Sequence, residues 1–332
     1  MNLKSRSIVA GLPGITFLLC LSVAAKMISS EIGWGTPLIF AILLGIIVSN
    51  GYGIPVSLRP GVNSYKLLLE VGIVLLGASI SLQDIINGGG SIVILTVATV
   101  GTGVILVEFF ARYVFGLSGR VPALLAGGSS ICGVSAVLAI AGSINASEND
   151  IAYATATILM FDVITLAAFP IAGNLLNMSS VSFGIWSGLS MFSTGPVTAA
   201  GFAFSHTAGK WATLTKLTRN SLMGPLVLAY SFRYSINDNQ SISIYTFYDN
   251  FPKFLIGFFI VAAIANMPST STEFVNTIRV TSDWFFTLSF VGLGCEIQLQ
   301  KLRQTGVRPF FTVLLYLLTI SAITLFAVQS VF

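Results

Sequence analysis

Residues 127–133 read Gly-Gly-Ser-Ser-Ile-Cys-Gly, and residues 188–196 read Gly-Leu-Ser-Met-Phe-Ser-Thr-Gly-Pro. Each stretch lies inside a long apolar run, 121–143 and 183–205 respectively. Glycine and proline interrupt a helix, and lipid cannot satisfy the backbone groups that the interruption frees. Such backbone survives at membrane depth only where it is buried in protein or lines a wet cavity. The two stretches therefore predict two discontinuous helices.

The composition of the whole chain places these breaks in a membrane. Of the 332 residues, 55% are hydrophobic and 8% are charged, whereas soluble domains carry about 25% charged residues. The net charge of +4 arises from too few groups to indicate nucleic-acid binding. We therefore predict an all-α polytopic membrane protein with one transmembrane transporter domain, residues 1–332, in contact with the lipid bilayer.

Apolar runs long enough to cross a bilayer recur along the chain. A crossing needs about 20 residues, and scanning gives about eleven segments, at 8–29, 36–50, 63–81, 91–115, 121–143, 150–173, 183–205, 211–232, 251–267, 275–297 and 307–331. If the two interrupted segments are re-entrant hairpins, about nine crossings remain. Eleven of the 16 basic residues fall on the side of the N-terminus, and only Lys26 and Lys210 on the other. The N-terminus is therefore predicted to be cytoplasmic and the C-terminus outside.

Two distant stretches resemble each other. Residues 76–83 read Leu-Gly-Ala-Ser-Ile-Ser-Leu-Gln, and residues 293–300 read Leu-Gly-Cys-Glu-Ile-Gln-Leu-Gln. By the predicted orientation they cross in opposite directions, which predicts an inverted repeat, a common construction of secondary transporters. The two breaks also resemble each other weakly at a different offset, with Gly127 over Gly188. The sequence leaves open whether one match is accidental or the repeats are interleaved.

A few ionisable side chains fall inside the predicted spans, where each is costly and is expected to face protein or water. Lys216 and Arg219 share one helix face because they are three residues apart. They either pair with carboxylates of neighbouring spans, with Asp162 as a plausible partner, or offer positive charge to an anionic substrate. Asp162 is the candidate for proton or sodium coupling, with a buried pair as the alternative.

The breaks favour an anion, because half-helix N-termini carry unpaired N–H groups and the positive end of the helix dipole. The candidate substrate ligands are therefore the small residues of the two breaks and the two cations. They are Ser129, Ser130, Cys132, Gly133, Ser190, Ser193, Thr194, Gly195, Lys216 and Arg219. The alternative is that glycine and serine here only form small-residue packing surfaces.

Enzyme and metal chemistry have little support. Cys20, Cys132 and Cys295 lie far apart in apolar stretches, and His206 is the one histidine of the sequence. This leaves no metal-ligand pattern and no histidine base for a nucleophile within a span. We expect no catalytic residue, no metal and no cofactor.

Several of these motifs resemble the YeiH-like family of proposed sulfate exporters, which are prokaryotic inner-membrane proteins. The resemblance is carried by residues 128–133, Glu-Asn-Asp-Ile-Ala at 148–152, Ala-Ala-Gly at 199–201, Lys-Leu-Thr-Arg at 216–219 with Pro225 following, Val-Leu-Leu-Gly at 74–77 and Gly-Leu at 292–293. It implies a secondary transporter of small anions in the plasma (inner) membrane, with sulfate export as a proposed activity.

The second break departs from the family pattern, which reads Ser-Ile-His-Asp/Glu-x-Ala-Gln-Val. Residues 190–197 read Ser-Met-Phe-Ser-Thr-Gly-Pro-Val, so the histidine, the acid and the glutamine are absent. Asp162 falls where the pattern has a small residue, which indicates that an acid has moved between segments. Losing an imidazole and a carboxylate changes what a site binds and which protons it exchanges, so sulfate specificity is not carried over.

We therefore predict a multi-pass secondary active transporter of a small anion, such as sulfate, a sulfonate or a carboxylate. It is expected to work by alternating access of a broken-helix core against a scaffold. Proton or sodium coupling and a homodimeric assembly stay open. The alternatives are a passive anion channel and, with less support, a membrane-embedded enzyme.

Overall fold

The computed structural model describes residues 3–32, 36–79, 82–238, 254–267, 270–297 and 306–332. The helices in these ranges are, in chain order, α1 Leu3–Ile32, α2 Pro37–Gly51, α3 Arg59–Val62, α4 Tyr65–Leu76, α5 Leu82–Phe109, α6 Val121–Gly127, α7 Val134–Ile144, α8 Glu148–Leu175, α9 Ser180–Ser190, α10 Thr194–Phe204, α11 His206–Asn220, α12 Met223–Asp238, α13 Phe254–Ala265, α14 Thr272–Glu296 and α15 Val307–Val331. A 3₁₀ turn, Gly77–Ser79, extends α4, and π-helical turns, Phe110–Val114 and Gly128–Cys132, extend α5 and α6. The described residues contain no strand, which confirms the predicted helical class.

Five segments of the described chain are long and apolar enough to cross a membrane. They are Gly11–Glu31, Arg59–Ser79, Gly89–Val114, Glu148–Leu175 and Val307–Val331. Shorter apolar helices include α2 and α13. These helices agree with the predicted multi-pass membrane protein. The number of crossings and the inverted repeat stay predictions, and residues 80–81 and 298–300 of that repeat lie outside the described residues.

One predicted span has a different structure. The apolar run 211–232 contains the end of α11 at Asn220 and the start of α12 at Met223, so it is not one helix. Pro225 lies in the first turn of α12, where backbone N–H groups have no acceptor within the helix, so the missing N–H of proline costs no hydrogen bond. The other end of α11 lies at His206, because the Ser205 hydroxyl caps the helix by accepting from a backbone N–H of its first turn.

The chain forms two compact units. The first comprises Met1–Ile85 and Lys253–Leu299, and the second comprises Ile86–Pro252 and Gln300–Phe332. In the first unit, glycine lets α2 and α14 approach closely, since a Cβ on Gly45 would lie 2.3 Å from Val291 O. This is the small-residue packing that membrane helices commonly use.

Both interrupted segments lie in the second unit, and the chain reverses direction at each of them. A Cβ on Gly127 would lie 2.1 Å from Ile140 Cδ1, although a straight helix would separate these residues by about 20 Å. The rings of Phe183 and Phe204 stack with their centroids 4.0 Å apart, where a straight helix would hold them about 30 Å apart. We call α6–α7 hairpin 1 and α9–α10 hairpin 2. Whether these hairpins re-enter the membrane, as the alternative with about nine crossings requires, stays a prediction.

Candidate functional site

The tips of the two hairpins touch. Gly133 forms the tip of hairpin 1 with φ 71° and ψ −136°, a backbone conformation that glycine adopts and other residues avoid. A Cβ on Gly133 would lie 1.8 Å from the hydroxyl oxygen of Ser193, which is the N-cap of α10 at the tip of hairpin 2. Both the positive φ and the close approach therefore require glycine at this position.

Two cations from α11 bind backbone carbonyls at both tips. Lys216 and Arg219 are fully buried. Lys216 Nζ donates to Ile131 O at 2.5 Å, to Met191 O at 3.2 Å and to Phe192 O. Arg219 Nε donates to Ile131 O at 2.9 Å, and its terminal nitrogens donate to Leu189 O, Met191 O and Phe192 O. The last carbonyls of a helix lack intrahelical partners and favour positive charge, so the two cations hold the end of the first arm of each hairpin.

These contacts bear on both roles predicted for the cations. In the part of the chain that the structure describes, neither Lys216 nor Arg219 is ion-paired with Asp162, so the predicted direct pairing is not found. An ammonium has three N–H donors, and those of Lys216 are all directed at backbone carbonyls. Lys216 therefore offers a ligand its charge and no further hydrogen bond in this arrangement.

Asp162 of α8 binds the start of the second arm of hairpin 2. Its Oδ1 accepts from the Ser193 backbone N–H at 3.0 Å, and its Oδ2 accepts from the Ser193 hydroxyl. The buried carboxylate thus occupies the position where the N–H groups and dipole of α10 favour an anion. The corresponding end of α7 follows Gly133 and has no side-chain cap.

Three more of the predicted ligands lie at or next to the tips. Thr194 Oγ1 accepts from Asn220 Nδ2 at 3.0 Å. Cys132 is buried, and its Sγ lies 3.4 Å from Met223 Sδ. Gly195 is buried in the first turn of α10. The structure therefore places these residues at or next to the tips with Gly133, and their role as substrate ligands stays a prediction.

The three remaining serines differ in what their hydroxyls contact. Ser129 donates to Leu125 O at 2.6 Å within its own helix. Ser190 is bonded to the Thr324 hydroxyl of α15 at 2.7 Å. The Ser130 hydroxyl is buried and has no hydrogen-bond partner. Ser129 and Ser190 are therefore occupied within the protein, whereas Ser130 has unused hydrogen-bonding capacity.

Two polar residues near the tips were not predicted. Asn220 ends α11 directly after Arg219, and its Oδ1 is buried without a partner. Tyr316 of α15 is fully buried, its ring stacks on Phe192 with centroids 6.0 Å apart, and its hydroxyl has no hydrogen-bond partner. The available signals were the position of Asn220 beside a predicted ligand and the polar group of Tyr316 inside an apolar run.

The fold and the site define a multi-pass helical membrane protein in which two helical hairpins meet at their tips beside buried charges. The chain belongs to the family described as "Conserved hypothetical protein 698", whose profile matches residues 13–313. It is similar to UPF0324 membrane proteins from Nitratidesulfovibrio vulgaris, with 30% identity covering 92% of this chain and 89% of the relative, and from Clostridium tetani, with 30% identity covering 89% and 90%. These matches confirm the resemblance to the YeiH-like family. No solved structure matches the chain.

Proposed function

We propose that the protein is a secondary active transporter of a small anion and that the anion binds at the tips of hairpins 1 and 2. The proposal rests on the excess positive charge at the hairpin tips. Lys216 and Arg219 are fully buried, and the carboxylate described beside the tips is that of Asp162. Two cations against one carboxylate leave one positive charge in excess. Because a buried charge without a counter-ion is costly, an anion that enters the tips is stabilised there.

Transport, rather than static binding, is favoured by the backbone of the tips. Both hairpins end in non-helical residues inside a membrane protein, and such discontinuous segments form the substrate sites of many secondary transporters. Alternating access then requires the tips to be exposed to each side of the membrane in turn. The resemblance to proposed sulfate exporters supports the same function and a substrate such as sulfate, a sulfonate or a carboxylate.

The charge count also favours proton coupling for a dianion. With Asp162 ionised, a monoanion neutralises the excess charge, whereas a dianion such as sulfate is neutralised only when Asp162 binds a proton. The ionisable groups that act on Asp162 are Lys216 and Arg219 of α11. The elements packed against α8 are hairpin 1, α10 and α15. Their ionisable side chains are Cys132 of hairpin 1 and Arg308 and Tyr316 of α15, and α10 carries none. Asp162 is therefore the carboxylate available to exchange a proton at the tips.

The test is uptake of radiolabelled sulfate, a small sulfonate and a small carboxylate into proteoliposomes, with proton and sodium gradients imposed separately. We expect saturable uptake of at least one anion and stimulation of dianion uptake by an inward proton gradient. Unsaturable, uncoupled conductance would identify a channel instead. Absence of flux for all three anions would refute the proposal, and stimulation by sodium alone would replace the proton as coupling ion.

The decisive variant is Asp162→Asn. The amide oxygen can still accept from the Ser193 N–H, so the contact with hairpin 2 is retained, but the side chain no longer exchanges a proton. We expect dianion uptake to continue and its proton stimulation to be lost. The matched control is Asp150→Asn, which removes a carboxylate from the first turn of the same helix.

We also propose that the protein lies in the inner membrane with its N-terminus in the cytoplasm and its C-terminus outside. This orientation rests on the distribution of Lys and Arg, which favours cytoplasmic loops. A C-terminal fusion to a phosphatase that is active only outside the cytoplasm tests it. An inactive phosphatase, together with a fluorescent C-terminal cytoplasmic reporter, would reverse the orientation.

A further inference from the structure

Three residues from three different elements converge beside hairpin 1. They are Gly103 of α5, Ser130 in the π-helical turn of hairpin 1 and Tyr316 of α15. A Cβ on Gly103 would lie 2.8 Å from Tyr316 Oη and 2.9 Å from Ser130 Oγ. Both hydroxyls therefore approach the backbone of α5 at a position where a side chain is missing.

The hydroxyls of Ser130 and Tyr316 lie beside each other and interact. Neither makes a well-formed hydrogen bond within the described protein, although Ser130 is 1% exposed and Tyr316 is 0% exposed. Buried polar groups are nearly always hydrogen-bonded, because removal from water without a new partner is costly. The adjacent Ser129 follows this rule by donating to the carbonyl four residues earlier. Two neighbouring buried hydroxyls that lack a well-formed hydrogen bond therefore indicate a polar ligand that binds to both.

The neighbouring charges decide which kind of ligand this is. A hydroxyl can donate or accept a hydrogen bond, so it could bind an anion or a cation. Arg219 is close enough to Tyr316 to interact with it electrostatically, and the carbonyl of the residue after Ser130 accepts from both Lys216 and Arg219. These cations disfavour a second cation and favour an anion.

We propose that the hydroxyls of Ser130 and Tyr316 donate hydrogen bonds to an oxygen of an oxyanion, and that Gly103, which has no side chain, lets both hydroxyls take this position. This subsite rests on the proposed function and adds the residues that contact the substrate. Lys216 and Arg219 supply the attractive charge while their N–H groups hold the hairpin tips. The hydroxyls supply hydrogen-bond donors that Lys216 cannot, because its three N–H groups are directed at backbone carbonyls.

The test measures equilibrium binding of radiolabelled sulfate to the purified full-length chain in detergent, with nitrate, acetate and chloride as competitors. Removing a hydrogen bond to a charged ligand weakens binding about tenfold or more, and this is the loss expected for both Tyr316→Phe and Ser130→Ala. Gly103→Ala is expected to abolish binding, because the added Cβ would displace both hydroxyls. The controls are Tyr113→Phe, which changes an exposed ring, and Gly101→Ala, which adds a Cβ with no atom within 4 Å.

A thermal unfolding measurement separates binding from folding. Because the Tyr316 hydroxyl makes no well-formed hydrogen bond, Tyr316→Phe should be about as stable as the wild type while binding less. Unchanged affinity in both hydroxyl variants would overturn the proposal, and so would chloride competing as well as the oxyanions. If the wild type binds an oxyanion but does not transport it, the proposed function fails while the subsite stands. If the wild type binds none of these anions, both fail.

Discussion

The contact between the two hairpin tips gives a prediction about one glycine. Gly133→Ala would place a Cβ 1.8 Å from Ser193 Oγ and 2.9 Å from Ser193 Cβ. Holding alanine at φ 71° costs about 1–3 kcal/mol, and forcing an extra methyl into a packed site costs about 1–3 kcal/mol more. We therefore expect a loss of about 2–6 kcal/mol in unfolding free energy, measured by thermal and denaturant unfolding of the detergent-purified protein.

The same helix supplies the control. Gly142 lies in α7, and a Cβ there would meet no atom within 4 Å. Gly142→Ala should therefore stabilise the helix by about 0.5–1 kcal/mol, because alanine loses less conformational entropy than glycine. Gly133→Ala, directly before α7, and Gly142→Ala, within it, are thus expected to change stability in opposite directions. A Gly133→Ala protein as stable as the wild type would refute the tip geometry.

A double variant separates the steric contribution from the backbone contribution. Ser193→Gly removes the two side-chain atoms that an alanine at position 133 would meet most closely, but it leaves the Cα of residue 193 at 3.2 Å and the positive φ unchanged. Combining Gly133→Ala with Ser193→Gly should therefore recover the steric part alone, with a coupling energy of about 0.5–3 kcal/mol, as found for residues in contact. Additive effects of the two substitutions would show that the tips do not touch.

Three further predictions concern the side chains around the tips. Arg219→Met should destabilise the protein more than Lys216→Met in thermal unfolding. Removing Arg219 leaves Leu189 O of α9 without its side-chain donor, whereas each carbonyl bound by Lys216 also accepts from Arg219. Equal losses of stability would contradict this. Ser129→Ala and Ser190→Ala should leave anion affinity unchanged in the binding assay, since both hydroxyls are bonded within the protein; a tenfold loss would make them ligands. Asn220→Asp adds a negative charge beside the tips and should weaken anion binding about tenfold or more. An unchanged anion affinity would contradict this prediction.

The class of the protein and the positions of the breaks could be predicted because both depend on local composition. Glycine, serine and proline mark residues 127–133 and 188–196, and the structure places non-helical backbone at Gly133 and between Ser190 and Thr194. The direction of the chain after each break could not be predicted. It depends on contacts between residues far apart in sequence, such as Phe183 with Phe204, and helix-breaking residues alone are equally compatible with a kink.

The hydrogen-bond partners of Lys216 and Arg219 could not be predicted from the sequence, for a different reason. The predicted spans contain few carboxylates that could pair with the two cations, and Asp162 is the one predicted. The groups that Lys216 and Arg219 bind are backbone carbonyls, which every residue carries and which become distinctive only where a helix ends. The span 211–232 was likewise predicted as one helix, although Gly224 and Pro225 gave the signal for a new helix start.

The departure from the family pattern at the second break has a structural counterpart. Position 193 carries an acid in that pattern and is Ser193 in this chain, yet the Asp162 carboxylate binds both the backbone N–H and the hydroxyl of Ser193. A negative group therefore stays at the start of α10, supplied by α8. The histidine of the pattern has no such replacement, because Phe192 stands there and packs between the rings of Phe161 and Tyr316. With a phenyl ring in place of the imidazole, the proton exchange that we propose at the tips falls to Asp162. Proton stimulation in Asp162→Asn therefore tests the proposed coupling more directly than a change to Lys216 or Arg219, because losing either cation also removes hydrogen bonds to the hairpin tips.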